Sequence, residues 1–275
     1  MQFSHKWCIY AILLNNYLAM NPLLNKEPVK SSKEISLDRQ KNVLKSLDSN
    51  KKIDIESYFN SFDVAYFNKN NSERLLWQSR LILDGNKNDL IVGSRKCFGN
   101  LLEVFIKTQN FDGLFLKLIE VLELSGLEII DASIATSKNK DIAANTFISK
   151  FVHHDRVLNN SEVNEIKLRI ISNFENFSTK KILPKGNHKK RNAFKNSMHI
   201  TNTEDKAKKK NLLTIETSDA PGLLAKIAKV LHDNGTSIYS ARINTLGDRV
   251  EDTFEIEDVT LSSVSDKKIK KITSD

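Results

Sequence analysis

Asp219-Ala220-Pro221-Gly222-Leu223-Leu224 decides the fold, because an earlier stretch, Asn110-Phe111-Asp112-Gly113-Leu114, repeats its layout 109 residues upstream. In that register Leu118 falls on Ile227, Val121 on Val230, Leu122 on Leu231 and Gly126 on Gly235. Ile129, Ala132, Ile134 and Thr136 fall on Ile238, Ala241, Ile243 and Thr245, and Thr146-Phe147 meets Thr253-Phe254 once two extra residues are allowed in the first hairpin. Self-similarity of this kind outweighs any single motif as evidence of architecture. The chain reads as a tandem repeat.

In the second copy, Leu212, Leu213 and Ile215 form a short apolar run expected of a buried strand. Asp219 occupies an N-cap position and Pro221 the first helical turn, where a missing N–H costs nothing. Leu223, Leu224, Ile227, Val230 and Leu231 recur at helical spacing, and Asn234-Gly235 closes the helix. From Ser237 the period becomes two, with Tyr239, Ala241 and Ile243 on one face and Ser240, Arg242 and Asn244 on the other. Leu246 to Arg249 forms the turn, and Val250, Phe254 and Ile256 share one side of the return strand. Strand, helix and hairpin make most of a ferredoxin-like unit. The fold class expected is therefore α+β, tandem ferredoxin-like units of βαββαβ type, and not a nucleotide-binding Rossmann fold.

Asp219 to Ala225 and Ala241 to Phe254, with Arg249-Val250-Glu251-Asp252-Thr253-Phe254 as the sharpest part, resemble an ACT domain. More narrowly they resemble the last ACT domain of the bifunctional uridylyltransferase/uridylyl-removing enzymes that modify the nitrogen-signalling protein PII. Asp63-Val64-Ala65-Tyr66-Phe67 and Leu76-Trp77-Gln78 resemble the approach to that family's first ACT domain. Trp7 to Leu24 resembles the last helix of its preceding helical domain. The resemblance implies this organisation: 1–57 a helical remnant of an upstream domain, 58–95 a connecting segment, 96–178 a first ACT domain, 179–210 a basic linker with an extra strand around Met198-His199-Ile200-Thr201, and 211–275 a second ACT domain.

The family's transferase chemistry needs clustered carboxylates holding Mg²⁺ against phosphate, and its removing domain needs a spaced His/Asp metal site. Neither pattern is found: Asp131 and Asp141 are isolated, and His153-His154-Asp155 has no further ligands nearby, so it reads as a solvated loop. No catalytic residue, metal site or cofactor is assigned, although the full-length family would use Mg²⁺. This chain alone is expected to be inactive.

ACT domains bind small molecules, often amino acids, at the turn from first strand to first helix, against a neighbouring ACT unit. The resemblance implies glutamine at Asp219, Ala220, Pro221, Gly222, Leu223 and Leu224. There, helix N–H groups would take the ligand carboxylate, Asp219 would accept from its ammonium or amide, and Gly222 would permit close approach. Asn110, Asp112 and Gly113 form a weaker second position, since Asp112 would repel a carboxylate. The expected role is a regulatory module of nitrogen control, with PII and a separate catalytic half as further partners and ACT–ACT pairing within or between chains. A stand-alone ligand-binding repeat protein is the nearest alternative.

The net charge of +8 raises a nucleic-acid reading, and eleven Lys or Arg fall between Lys180 and Lys210. Phe194 is the lone aromatic there, too little for base stacking, so the run reads as a linker. Cys8 and Cys97 lack CxxC spacing and read as packed thiols of a cytoplasmic protein. The apolar stretch Trp7 to Met20 is too short to span a membrane. Tyr17-Leu18-Ala19 loosely fits a processing site, but a helix packing on absent sequence is the reading preferred.

Overall fold

Four elements recur at the spacing the sequence repeat dictates. The computed structural model describes residues 30–85, 90–152, 156–177, 198–205, 210–218, 220, 222–246, 249–258, 260 and 262–274. Within the first unit lie β1 (Ile91–Lys96), β2 (Leu101–Gln109), α5 (Leu114–Leu124), β3 (Leu127–Thr136), β4 (Ile142–Phe151) and α6 (Asn160–Glu175). The second has β5 (His199–Asp205), β6 (Lys210–Ser218), α7 (Leu223–Asp233), β7 (Thr236–Leu246), β8 (Arg249–Asp258) and α8 (Asp266–Ser274). Before them come α1 (Ser32–Lys45), α2 (Ser49–Asn60), α3 (Val64–Lys69) and α4 (Ser72–Asp84).

The strands form one antiparallel sheet in the order β1-β2-β4-β3-β7-β8-β6-β5, which reads as the same four-strand pattern from either edge. In each unit the outer position is filled from the N-terminal side, by β1 beside β2 and by β5 beside β6. The expected βαββαβ order is thus realised as ββαββα, with the edge strand supplied first. The linker residues His199 and Ile200 pair with Glu216 and Ile215, covering an edge that would otherwise expose unpaired N–H and C=O groups.

The units meet through β3 and β7, where Ala132 pairs with Ile243, Ile134 with Ala241, and Ser133 with Arg242. Ser133 and Arg242 are equivalent positions of the repeat, so a local two-fold axis passes between them. The apolar positions of both copies then share one core. Leu118, Leu122 and Ile134 join Ile227, Leu231 and Ile243 there, and the Phe115 ring meets Phe254 edge-on at 6.2 Å. Helices α5 to α8 cover this face.

The opposite face of the first unit is covered by the early helices. Residues 58–95, read as a connection, carry α3, α4 and β1. Tyr66, Phe67, Leu75 and Ile55 pack with Phe105 and Ala144 of the sheet into a second core. Gln78 ties the layers together, accepting from Tyr66 Oη at 2.7 Å and donating to Thr146 Oγ1 at 2.9 Å. The second unit presents a barer face: Leu212 is 45% exposed, whereas its equivalent Glu103 is 2% exposed under the helical layer.

Asp131 lies beside the junction on this helical side. Burial pushes its carboxyl above the usual range, against the pull of Arg74, Arg242 and Lys69. The folded state therefore holds this proton more tightly than the unfolded chain, and stability is lost as pH rises through the raised value. Asp131→Asn is expected to flatten that part of the profile and to match or exceed the parent's stability at neutral pH. Urea midpoints across the carboxylate range would check this; parallel profiles for the two proteins would refute it.

Candidate functional site

Both strand-to-helix turns end on a glycine in the left-handed region, Gly113 at φ 78° and Gly222 at φ 72°. These glycines are the N-caps of α5 and α7, and neither helix has a side-chain cap. The helix in the second copy therefore starts at Leu223, later than a cap at Asp219 would place it. Asp219 and Pro221 lie outside the described residues; Ala220 is exposed, and Gly222, Leu223 and Leu224 are partly buried. The first N–H of each helix donates to the backbone of its own turn, Leu114 N to Phe111 O at 3.1 Å and Leu223 N to Ala220 O at 3.0 Å, and no side chain caps the N–H groups that follow.

At the first copy's turn the two units enclose a cavity of about 210 Å³. One wall is Asn110 to Leu116, the floor includes Ile134, Ala143 and Asn145, and the second unit contributes His232, Thr236 to Tyr239, and Glu257. The local two-fold places these parts together, because pairing β3 with β7 brings the end of α7 over the turn before α5. Of the expected site residues, Asn110, Asp112 and Gly113 border this cavity.

The turn is braced from the hairpin. Asn110 N donates to Asp141 O at 2.8 Å, and Asn110 Nδ2 donates to Lys140 O at 2.9 Å. Lys140 adopts φ 64°, uncommon for a residue with a side chain, and its carbonyl is held by Asn110. From there Lys140 Nζ reaches Glu257 Oε1 at 2.7 Å across the unit boundary. The two extra residues seen in the sequence fall in this hairpin and so help form the rim. Lys138 N also donates to Ser61 O at 2.8 Å, fixing the hairpin to the helical layer.

Two polar atoms at the cavity are buried without a hydrogen-bond partner, Asn145 Oδ1 and His232 Nδ1. His232 Nδ1 stands 3.6 Å from Asp112 Oδ1, beyond hydrogen-bond reach. Seven buried side-chain polar atoms among the described residues lack a hydrogen-bond partner, and the two that line this cavity are where a ligand donor or acceptor would fit. The Asp112 side chain, read as repelling a carboxylate, is 60% exposed and stands beside His232. The sequence carried one signal for Asn145 that went unread: a polar residue in phase with apolar Ala143 and Phe147.

Gly113 also limits what can replace it. A Cβ there would come within 3.1 Å of His232 Cε1, whereas at Gly99, also at positive φ, it would meet open space. Each alanine substitution should cost about 1–2 kcal/mol in backbone strain. Gly113→Ala should cost more than Gly99→Ala and narrow the cavity; equal melting temperatures for the two would contradict the packing described.

Among the described residues no group of three or more His, Cys, Asp or Glu could hold a metal ion, and no helix is long and apolar enough to cross a membrane. His153, His154, Asp155, Cys8 and most of the basic linker lie outside the described residues. Its last lysine, Lys210, is held in β6, with Nζ 3.5 Å from Glu255 Oε1 and over the Tyr239 ring.

No family model matches this chain. A bifunctional uridylyltransferase/uridylyl-removing enzyme from Psychrobacter sp. (strain PRwf-1) is 29% identical over 218 residues, 75% of this chain and 24% of that protein. The enzyme of the same name from Psychrobacter arcticus is 26% identical over 228 residues, 79% of this chain and 25% of its own length. That from Burkholderia mallei (strain SAVP1) is 28% identical over 213 residues, 74% of this chain and 24% of its own. Among solved structures, an aspartate kinase from Synechocystis aligns at a TM-score of 0.34 and 12% identity, over 64% of this chain and 26% of that one. Three quarters of the chain thus resembles the bifunctional uridylyltransferase/uridylyl-removing enzymes, and it spans about a quarter of the length of those relatives.

Proposed function

We propose that the chain is an amino-acid-sensing regulatory module of a PII uridylyltransferase system, with glutamine as its ligand. The observation that carries this reading is the cavity between the units, where the first turn of α5, which has no side-chain cap, meets two buried polar atoms without a hydrogen bond, Asn145 Oδ1 and His232 Nδ1. The first turn of α5 would take the ligand carboxylate, since its N–H groups and the helix dipole favour an anion. Asn110 would hold the turn through its contacts to the hairpin, and Gly113 would let the ligand approach the backbone. His232 and Asp112 would serve the ligand's polar end from opposite units. Occupancy would stabilise one arrangement of the two units, which is the physical requirement for an effector that shifts an activity elsewhere. PII and a catalytic half are the proposed partners, and the cytoplasm the proposed location.

The chemistry proposed here is binding alone. Transfer or removal of uridylyl groups would belong to catalytic parts of the relatives, and nucleotide turnover is not expected of this chain. The turn at Asp219, Ala220, Pro221, Gly222, Leu223 and Leu224 is the second proposed position. A thermal-shift titration against the twenty amino acids tests the reading, with Gly113→Ala and Asp219→Ala run in parallel. Glutamine at a hundred times its dissociation constant should add about 2.7 kcal/mol to the folded state. Loss of the shift in Gly113→Ala places the ligand at the first copy, and loss only in Asp219→Ala moves it to the second. A parent protein indifferent to every amino acid would overturn the sensor.

A further inference from the structure

We infer that Asn145 is a specificity-determining residue of the cavity, selecting ligands whose side chain presents an N–H donor; this rests on the cavity being an amino-acid site. Asn145 lies on β4 between Ile106 of β2 and Ile134 of β3, and is fully buried. Its Nδ2 is directed at the Ile106 carbonyl, 3.4 Å away. Turning the amide over would set its oxygen against that carbonyl oxygen, so the bond fixes which end is which. The oxygen Oδ1 is then left without a partner beside the cavity. A ligand amide or ammonium satisfies it. A thioether or methyl leaves it buried and unpaired, and a carboxylate sets lone pairs against it.

The other copy shows what this position does when it is satisfied from within. Asp252 is its equivalent by the Thr146-Phe147 and Thr253-Phe254 match, and is 1% exposed. Its Oδ1 accepts from the Asn244 backbone N–H at 3.2 Å. Arg249, at the start of the same strand, pairs with Glu216 Oε2 at 2.8 Å. The two copies therefore make different demands: a neutral acceptor awaiting a donor in the first, and a carboxylate already bonded to its own backbone in the second.

Isothermal titration with glutamine, glutamate, methionine and lysine tests the inference on the parent, Asn145→Leu and Asn145→Asp. The parent should favour glutamine over methionine by about ten- to a hundredfold, the worth of one buried neutral hydrogen bond. Asn145→Leu removes the orphan oxygen and should fold normally by circular dichroism, with that ratio collapsing toward one. Asn145→Asp, nearly the same shape, keeps an acceptor there but makes it an anion, and should shift preference from glutamine toward lysine. A ratio unchanged in both variants would overturn the role given to Asn145 while leaving the site intact. Failure of the parent to bind any of the four would overturn the amino-acid reading and this inference with it.

Discussion

Phe254→Ala is expected to destabilise the chain by about 3–5 kcal/mol, the usual cost of deleting a fully buried ring. Phe254 has no exposed surface and lies in the core shared by both units, with its ring at 75° to that of Phe115. The substitution sits in the second copy, yet the cavity it leaves borders the first copy's helix. Thermal melting should therefore show one cooperative transition moved down as a whole, by roughly 10 °C for a chain of this size. Two transitions, with one at the parent's temperature, would mean that the units do not share a core.

Glu103→Ala should be nearly as costly, through charge instead of packing. Glu103 is 2% exposed and bridges Arg74 of α4 and Arg95 of β1, with Arg95 Nε 2.7 Å from Oε2. Arg95 also lies over the Trp77 ring at 4.4 Å, so a single carboxylate joins edge strand, central strand and helical layer. Removing it takes the shared anion from two neighbouring guanidiniums and leaves Arg95 only the exposed Glu73, 3.1 Å from its Nη1. About 3 kcal/mol is expected, the low end for a broken buried pair, since both arginines keep roughly a quarter of their side-chain surface in water. The test is a double-mutant cycle: Arg74→Ala combined with Glu103→Ala should cost less than the two single changes added together. Simple additivity would show that the bridge contributes nothing.

The repeat was legible because each copy buries the same helical stripe and the same strand phase, so selection for burial leaves a pattern that survives divergence. Leu118 with Ile227 and Ile134 with Ile243 are such pairs, and they occupy the shared core. The edge strand β1 was not read, being short and interrupted by Gly93, whose missing Cβ makes room for Leu81 and Trp77 of α4. The helical layer is legible from spacing only around α1, through Ile35, Leu37, Val43, Leu44 and Leu47, and otherwise as a resemblance. Its aromatics, Tyr58, Phe59, Phe62, Tyr66 and Phe67, are spent on a face that a ferredoxin-like pattern alone leaves open. The contrast between buried Glu103 and exposed Leu212 has the same cause, since the layer covers one copy and not its equivalent.

For the site, local chemistry gave the turn and its glycine but not the surroundings. The Asp-Ala-Pro-Gly stretch was weighed above Asn-Phe-Asp-Gly on the merits of its own side chains. What makes a cavity is the partner wall, and His232 reaches Gly113 only because β3 pairs with β7 about the axis at Ser133 and Arg242. Edge-to-edge pairing depends on which strands find each other after folding, and no spacing within one repeat encodes it.

The most direct test of the account is an isotope-labelled sample titrated with glutamine and followed through its amide resonances. Binding at the junction predicts saturable shifts of the Gly113 and Leu114 backbone amides and of the Asn145 side-chain amide, with Gly222 moving less. Shifts gathered around Gly222 with Gly113 still, or no saturable shift anywhere, would contradict it.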